Sequence, residues 1–316
     1  MKEAILRIEA PCKINVHLQV KDRRPDGYHN LESIFVALAF GDTLWVDQTE
    51  EAGACTILMD WPFAGMVPEE GVLPLEKNTI YQAISLFRVQ TGFTGGIRVR
   101  IEKRIPLGAG LGGGSSDAAS MLRALQFLIA PQLSQDQLLE MALALGSDVP
   151  FFLWGGVALV SGRGERILPI TVPEGLWVVL VYPGFSSNTA EAFRLLDRVR
   201  PESSLGKDAG VTELISALGK NPGSWPYKND FLQVFLDAGD QEQAKIYQRV
   251  VQDLKGLGAD FVGLSGAGSV CFGVFDDEGA AKKAGAVLSE RQGGLNQRYF
   301  IQVTFLLAYL AHGVVQ

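Results

Sequence analysis

The stretch GAGLGGGSSDAA at residues 108–119 puts five glycines and two serines in front of an alanine-rich segment. Glycine loses more backbone entropy on folding than any other residue, so the run needs positive φ angles or a close neighbour where Cβ atoms would sit. One such neighbour is a polyphosphate, received by main-chain N–H groups at the positive end of the following helix. The other is protein, in tight packing of helix on sheet. Residues 108–113 fit G-x-G-x-x-G, yet no acidic residue follows about 20 positions on at the end of a second strand, so a dinucleotide fold is rejected. A Walker loop is excluded because no lysine follows these glycines, and the HRD and DFG signatures of protein kinases are absent.

The rest of the chain narrows the choice. Its 316 residues suggest about two domains, and 47% hydrophobic with 20% charged residues is ordinary globular usage. A formal charge of -7 provides no field to recruit nucleic acid or anionic lipid, so any phosphate site is local. Three scattered cysteines, Cys12, Cys55 and Cys271, fit a reducing compartment and no zinc spacing. The apolar stretches near 149–160 and 305–315 are too short to span a bilayer. A cytoplasmic protein without structural metal, nucleic-acid or membrane partner is expected.

Alternating residues predict half-buried strands over 4–20 and 33–49, with turn chemistry at Pro25–Gly27 and Gly41–Asp42. In the first strand Lys13, Asn15 and His17 share the face opposite Ile14, Val16 and Leu18. Helices are expected over Asn78–Val89, from the glycine run to Pro131 with Ser115 or Ser116 as cap, and from Ser134 to Gly146 with a Ser134–Gln137 capping box. Asp148 falls on the loop that follows. A β hairpin over Trp154–Ile170, a strand at Trp177–Tyr182, a helix from Asn188, a loop-rich 200–226, helices near 229–237, 241–255 and 277–291, and strands around 264–275 and 297–309 complete an α+β pattern.

PCKINVHL at 11–18, PLGAGLGGGSSDAA at 106–119 and LSGAGSVCF at 264–272 follow the order and spacing of three motifs. In these the chain resembles the galactokinase, homoserine kinase, mevalonate kinase and phosphomevalonate kinase (GHMP) superfamily. Within it, DGYHNLES at 26–33 and LGSDVPFFL at 145–153 are similar to the 4-diphosphocytidyl-2-C-methyl-D-erythritol kinases. The resemblance implies a two-domain α+β fold with the active site in the cleft between an ATP-binding and catalytic domain, 1–170, and a substrate-side domain, 171–316. It also implies transfer of the ATP γ-phosphate, with Mg²⁺, to the C2 hydroxyl of a small cytidine diphosphate alcohol on the non-mevalonate route to isoprenoid precursors. Another small-alcohol kinase, a non-catalytic nucleotide-binding regulator and an RNA-binding module are the competing readings.

By matching position, the resemblance makes Asp148 the residue that accepts or orients the hydroxyl proton and Lys13 its cationic partner. Taken alone, Asp148 is a turn residue and Lys13 a solvated strand charge. Asn15 is expected near the erythritol portion, with His17 a satisfied structural histidine and His312 uninformative. Tyr28 and Phe193 are implied as the two sides of a cytosine sandwich. Stacking of about 1–3 kcal/mol accepts any base, so discrimination falls to His29. For ATP the implied set is Asn78, Lys103, Pro106, Gly108, Gly110, Gly112, Gly113, Gly114, Ser115 and Ser116, with Lys103 readable also as a surface strand-end charge. The block Ser265–Gly268 supports the cleft or is close β packing. Metal ligands are unassigned, Ser116 being one candidate.

Overall fold

The computed structural model describes residues 5–62, 74–172, 175–199, 210–291 and 299–307. Two long strands, β1 (Leu6–Arg23) and β2 (His29–Thr49), pair antiparallel across a tight turn in which Gly27 takes φ 86° and Arg24 N–H donates to the Tyr28 carbonyl at 2.7 Å. β2 is shared along its length. Its first half pairs with β5 (Val157–Gly162) and its second with β4 (Gly96–Glu102), giving the order β3-β4-β2-β5-β6, with β3 at Cys55–Asp60 and β6 at Arg166–Ile170. A second sheet has the order β10-β7-β9-β8, built from β7 (Trp177–Tyr182), β8 (Phe261–Leu264), β9 (Cys271–Phe275) and β10 (Phe300–Phe305).

Helices cover the outer face of each sheet. α1 (Thr79–Thr91), α2 (Gly113–Leu128), α3 (Gln135–Leu145) and α4 (Val149–Trp154) pack on the first sheet around Phe87, Met121, Leu125 and Phe151. α5 (Thr189–Val199), α7 (Asp230–Ala238), α8 (Gln241–Gly256) and α9 (Glu278–Arg291) cover the second, with α6 (Val211–Leu218) set against the space between the sheets. The two-residue period of β7 shows the layering, since Val178 and Leu180 face the inter-sheet core while Val179 and Val181 face the helices.

β1 is buried on both faces from Ala10 to Val20, rather than half-buried, because helices lie on one side and the second sheet on the other. A register shift between Pro11 and Lys13 changes which parity faces the helices: Leu6, Ile8 and Ala10 do so before it, and Lys13, over the Phe35 ring, does so after it. That bulge aims Lys13. Gly41–Asp42 is not a turn but lies inside β2, where a Cβ on Gly41 would sit 2.3 Å from the Ala10 carbonyl oxygen.

The Ser134–Gln137 capping box and the Asn188 cap are present, as is the hairpin of β5 and β6. Other expectations change. α2 begins at Gly113 behind a left-handed Gly112, leaving Ser115 and Ser116 inside its first turn instead of capping it. α4 follows Asp148 in a stretch for which no element was expected and takes in Trp154, the expected start of the hairpin, and α6 lies within the expected loop-rich 200–226; their short apolar runs show no helical period of useful length. Residues 200–209 of the expected loop, the outer ends of the 297–309 strand and His312 lie outside the described residues.

His17 is not fully satisfied. Its Nδ1 accepts from Lys228 N–H at 3.4 Å, but the buried Nε2 has no partner among the described residues. Burial, reinforced by Lys228 and Lys21, pushes its pKa down from 6.5 to about 4. Because the unfolded chain takes up this proton first, stability contributed by neutral His17 is lost as pH falls from 6.5 toward 4, by about 3 kcal/mol. Urea unfolding across that window should show His17→Gln losing less stability than the parent by about this amount. Parallel pH profiles would contradict it.

Candidate active site

The glycine run passes between three other segments. A Cβ on Gly110 (φ 78°) would lie 2.0 Å from the Ser265 carbonyl oxygen, and one on Gly112 (φ 71°) 2.8 Å from the Phe152 ring and 3.2 Å from the Lys13 side chain. Gly113 meets Ile105 at 3.0 Å, whereas Gly114 meets only Thr79, at 3.5 Å. The absent Cβ atoms at 110 and 112 therefore admit protein. The main-chain amides remain open: Gly112 caps α2 without a side chain, so the N–H groups of Gly113, Gly114 and Ser115 have no partner within the helix. Unbonded donors at the positive end of a helix are suited to an anion.

Lys13 stands beside it. Its Nζ donates to Asn15 Oδ1 at 2.5 Å and to the Gly110 carbonyl at 3.0 Å, and lies 3.7 Å from Asp148 Oδ2. Burial pushes the Lys13 pKa below 10.5, with Asp148 pulling it back up. Asp148 precedes α4 but makes no capping bond to it, which leaves the carboxylate for Lys13 and for a ligand. It is 34% exposed at the side chain against 4% for Lys13, so the carboxylate is the member of the pair that solvent or substrate reaches. Asn15 also accepts from Gly266 N–H at 2.8 Å and donates one hydrogen of Nδ2 to Ser33 Oγ at 2.9 Å. Ser265 donates to the Gly110 carbonyl at 2.8 Å, and Val270 N–H to the Ala109 carbonyl at 3.1 Å. The three motifs thus meet at one point.

On the α1 side, Met59, Trp61, Asn78, Lys103, Gly114 and Asp117 line a cavity of about 110 Å³. Asn78 Oδ1 caps α1 by accepting from Ile80 N–H at 2.9 Å. Lys103 is buried rather than a surface charge, bonded to Asp42 and, at 2.7 Å, to Asp117. Asp42 also accepts from the N–H groups of Arg104 and Ile105 at 2.6 and 2.8 Å, clamping the entry to buried Pro106 and the glycine run. Burial opposes the charge on Lys103, but the two carboxylates outweigh it and raise its pKa; burial also raises that of Asp117 against the pull of Lys103. A wider cleft of about 790 Å³ borders Leu107 and Gly108 on the α5 side, with Arg194 and Arg198 along it.

The remaining candidates gather at the start of β2. The His29 ring stacks on Phe193 at 5.3 Å and 13°, and Phe231 meets Phe193 edge-on at 4.9 Å. Tyr28 is 60% exposed with the Arg163 guanidinium 4.9 Å over its ring, and no ring contact joins it to Phe193 among the described residues. Asp42, Asp117, Arg163 and Asp197 were not singled out by the sequence. Asp117 sits within the glycine motif itself, and Asp197 lies one helical turn from Phe193; the pairings of Asp42 and Arg163 are long-range and leave no local signal.

Residues 78–156 match the GHMP kinases N terminal domain, and residues 241–293 match the GHMP kinases C terminal family. A 4-diphosphocytidyl-2-C-methyl-D-erythritol kinase of Treponema pallidum is 36% identical, covering 90% of this chain and 95% of its own length. The enzyme of that name from Anaeromyxobacter dehalogenans is 38% identical over 90% and 85%. The chain belongs to the 4-diphosphocytidyl-2-C-methyl-D-erythritol kinase family. It is accordingly an ATP-dependent phosphotransferase of the GHMP class. A crystal structure of 4-(cytidine 5'-diphospho)-2C-methyl-D-erythritol kinase superposes with a TM-score of 0.73 at 33% identity, covering 95% of this kinase and 99% of that chain. A homoserine kinase from Cytophaga hutchinsonii, at 18% identity and TM-score 0.67 over 98% of each chain, shares the fold.

Two glycines of this kinase should respond unequally. Gly110→Ala meets both a left-handed φ and a carbonyl oxygen, and should cost about 3 kcal/mol or more of unfolding free energy. Gly114→Ala, in a helix with ordinary contacts, should stay within about 1 kcal/mol of the parent. Urea titration of both variants decides it, and equal losses would contradict the packing account of the run.

Proposed function

We propose that this kinase transfers the γ-phosphate of ATP to the C2 hydroxyl of 4-diphosphocytidyl-2-C-methyl-D-erythritol, in the non-mevalonate supply of isoprenoid precursors. The observation that carries this is the pairing of Lys13 and Asp148 at 3.7 Å beside the open amides of α2. Adenine enters the cavity lined by Asn78 and Lys103, and the phosphates run along Pro106, Gly108 and Gly110 to the amides of Gly113, Gly114 and Ser115. The alcohol oxygen attacks the γ-phosphorus as the bond to the bridging oxygen of ADP breaks, and its proton passes to Asp148. Asp148 mainly orients the hydroxyl, because phosphoryl transfer through a loose transition state leaves the proton late. Lys13 neutralises charge on the attacking oxygen and the phosphoryl group.

Asn15, held by Lys13 and the Gly266 amide, faces the erythritol portion. Tyr28 and Phe193 take the cytosine between them, and His29 reads its edge. Mg²⁺ carried by the nucleotide supplies further charge neutralisation, and the Ser116 hydroxyl, buried and unpartnered among the described residues, is the protein group available to it. No cluster of three acidic, histidine or cysteine side chains among the described residues could cage a metal. The division of labour falls near residue 170, with ATP handled by residues 1–170 and the base by 171–316 together with Tyr28 and His29. With unpaired cysteines, a charge of -7 and no described helix long and apolar enough to cross a membrane, we place the enzyme in the cytoplasm, acting on small molecules.

An assay with Mg-ATP and a panel of the cytidine diphosphate alcohol, homoserine and mevalonate should show turnover of the first alone. Asp148→Asn and Lys13→Ala should each lower kcat by about a hundredfold or more while ATP affinity changes by only a few fold. Comparable use of homoserine or mevalonate would refute the substrate, and undiminished kcat in either variant its assigned role.

A further inference from the structure

The imidazole of His29 is held at two points by one helix. Phe193 lies flat against it at 5.3 Å, and Asp197 Oδ1 is 2.9 Å from its Nε2. Phe193 and Asp197 are four residues apart on α5, hence neighbours on one helix face. The stack sets the plane of the ring and the carboxylate sets its rotation within that plane. At 8% side-chain exposure the imidazole has little freedom to flip, whereas Asp197 is 35% exposed and sits at the rim.

The chemistry of the pair goes beyond orientation. An ionised carboxylate only accepts hydrogen bonds, so Nε2 must carry the proton. A neutral imidazole has one N–H, and the other nitrogen then presents a lone pair. Nδ1 of His29 is thereby an acceptor, and no group hydrogen-bonds it among the described residues. Cytosine offers an exocyclic amine at C4, a donor, where uracil offers an oxygen. An acceptor facing that position binds the amine and repels the oxygen.

We propose that Asp197 is the positioning residue that fixes His29 as a hydrogen-bond acceptor and so selects a cytidine over a uridine substrate. The inference rests on the function proposed above, in which His29 reads the base. Without Asp197 both neutral tautomers become accessible, and the one with Nδ1–H suits uracil. Asp197→Asn likewise admits both, since its side-chain amide can accept from Nε2–H through Oδ1 or donate to a bare Nε2 through Nδ2.

The test has two readouts, both at pH 8. The chain has three histidines, so ¹⁵N-histidine labelling with a His29 variant for assignment reports the tautomer directly. The parent should show His29 protonated at Nε2, and Asp197→Ala a mixture. In the kinase assay the ratio of kcat/KM for the cytidine over the uridine diphosphate alcohol should fall about tenfold or more in Asp197→Ala, through KM with kcat little changed. Asp197→Glu should restore most of the ratio, which a merely structural role would not require. An unchanged tautomer and ratio in Asp197→Ala overturns the inference while leaving the function standing. A parent inactive on the cytidine substrate overturns the function itself.

Discussion

Ser265 donates its hydroxyl hydrogen to the Gly110 carbonyl at 2.8 Å, and the same oxygen receives the Lys13 ammonium at 3.0 Å. One carbonyl thus ties together β1, the glycine run and the turn between β8 and β9, segments separated by 97 and 155 residues. Gly266 N–H extends the knot to Asn15. Nothing larger than hydrogen fits at Gly110, because the Ser265 oxygen occupies the place of its side chain. This contact sets the separation between the N-terminal amides of α2 and the Lys13 ammonium.

A second device fixes the approach to the glycine run. Lys103 lies buried between Asp42 and Asp117, and Asp42 grips the amides of Arg104 and Ile105. Taking three charges out of water is costly, and their mutual attraction with good hydrogen bonding only offsets that cost. The return is geometric: Lys103, just after β4, is bound to the second turn of α2, so the glycine run spans two anchored ends. The Lys13 ammonium lies over the Phe35 ring, 4.8 Å from its centroid, and the Phe152 ring packs against Gly112.

Much of this was legible where the signal is local. The Ser134–Gln137 capping box, the bounds of β7 and the Pro25–Gly27 turn follow from the chemistry of adjacent residues. Gly41–Asp42 misleads because glycine followed by aspartate reads as a turn, whereas Gly41 yields room to Ala10 and Asp42 reaches 62 residues along the chain to Arg104. The glycine run itself was half legible. Its open amides suit phosphate, but which protein segments fill the space above Gly110 and Gly112 depends on residues 152 and 265, which no window around 110 contains. Asp148 and Lys13 were named through motif position; that Asp148 forgoes capping α4 is visible only in three dimensions.

The structure of the enzyme with a non-hydrolysable ATP analogue and the cytidine diphosphate alcohol tests the central claim most directly. It should place the β- and γ-phosphate oxygens on the amides of Gly113, Gly114 and Ser115, with the γ-phosphate beside Lys13 Nζ and the acceptor hydroxyl against Asp148. Phosphates lodged instead in the open cleft beside Arg194 and Arg198, with those amides bare, would contradict it.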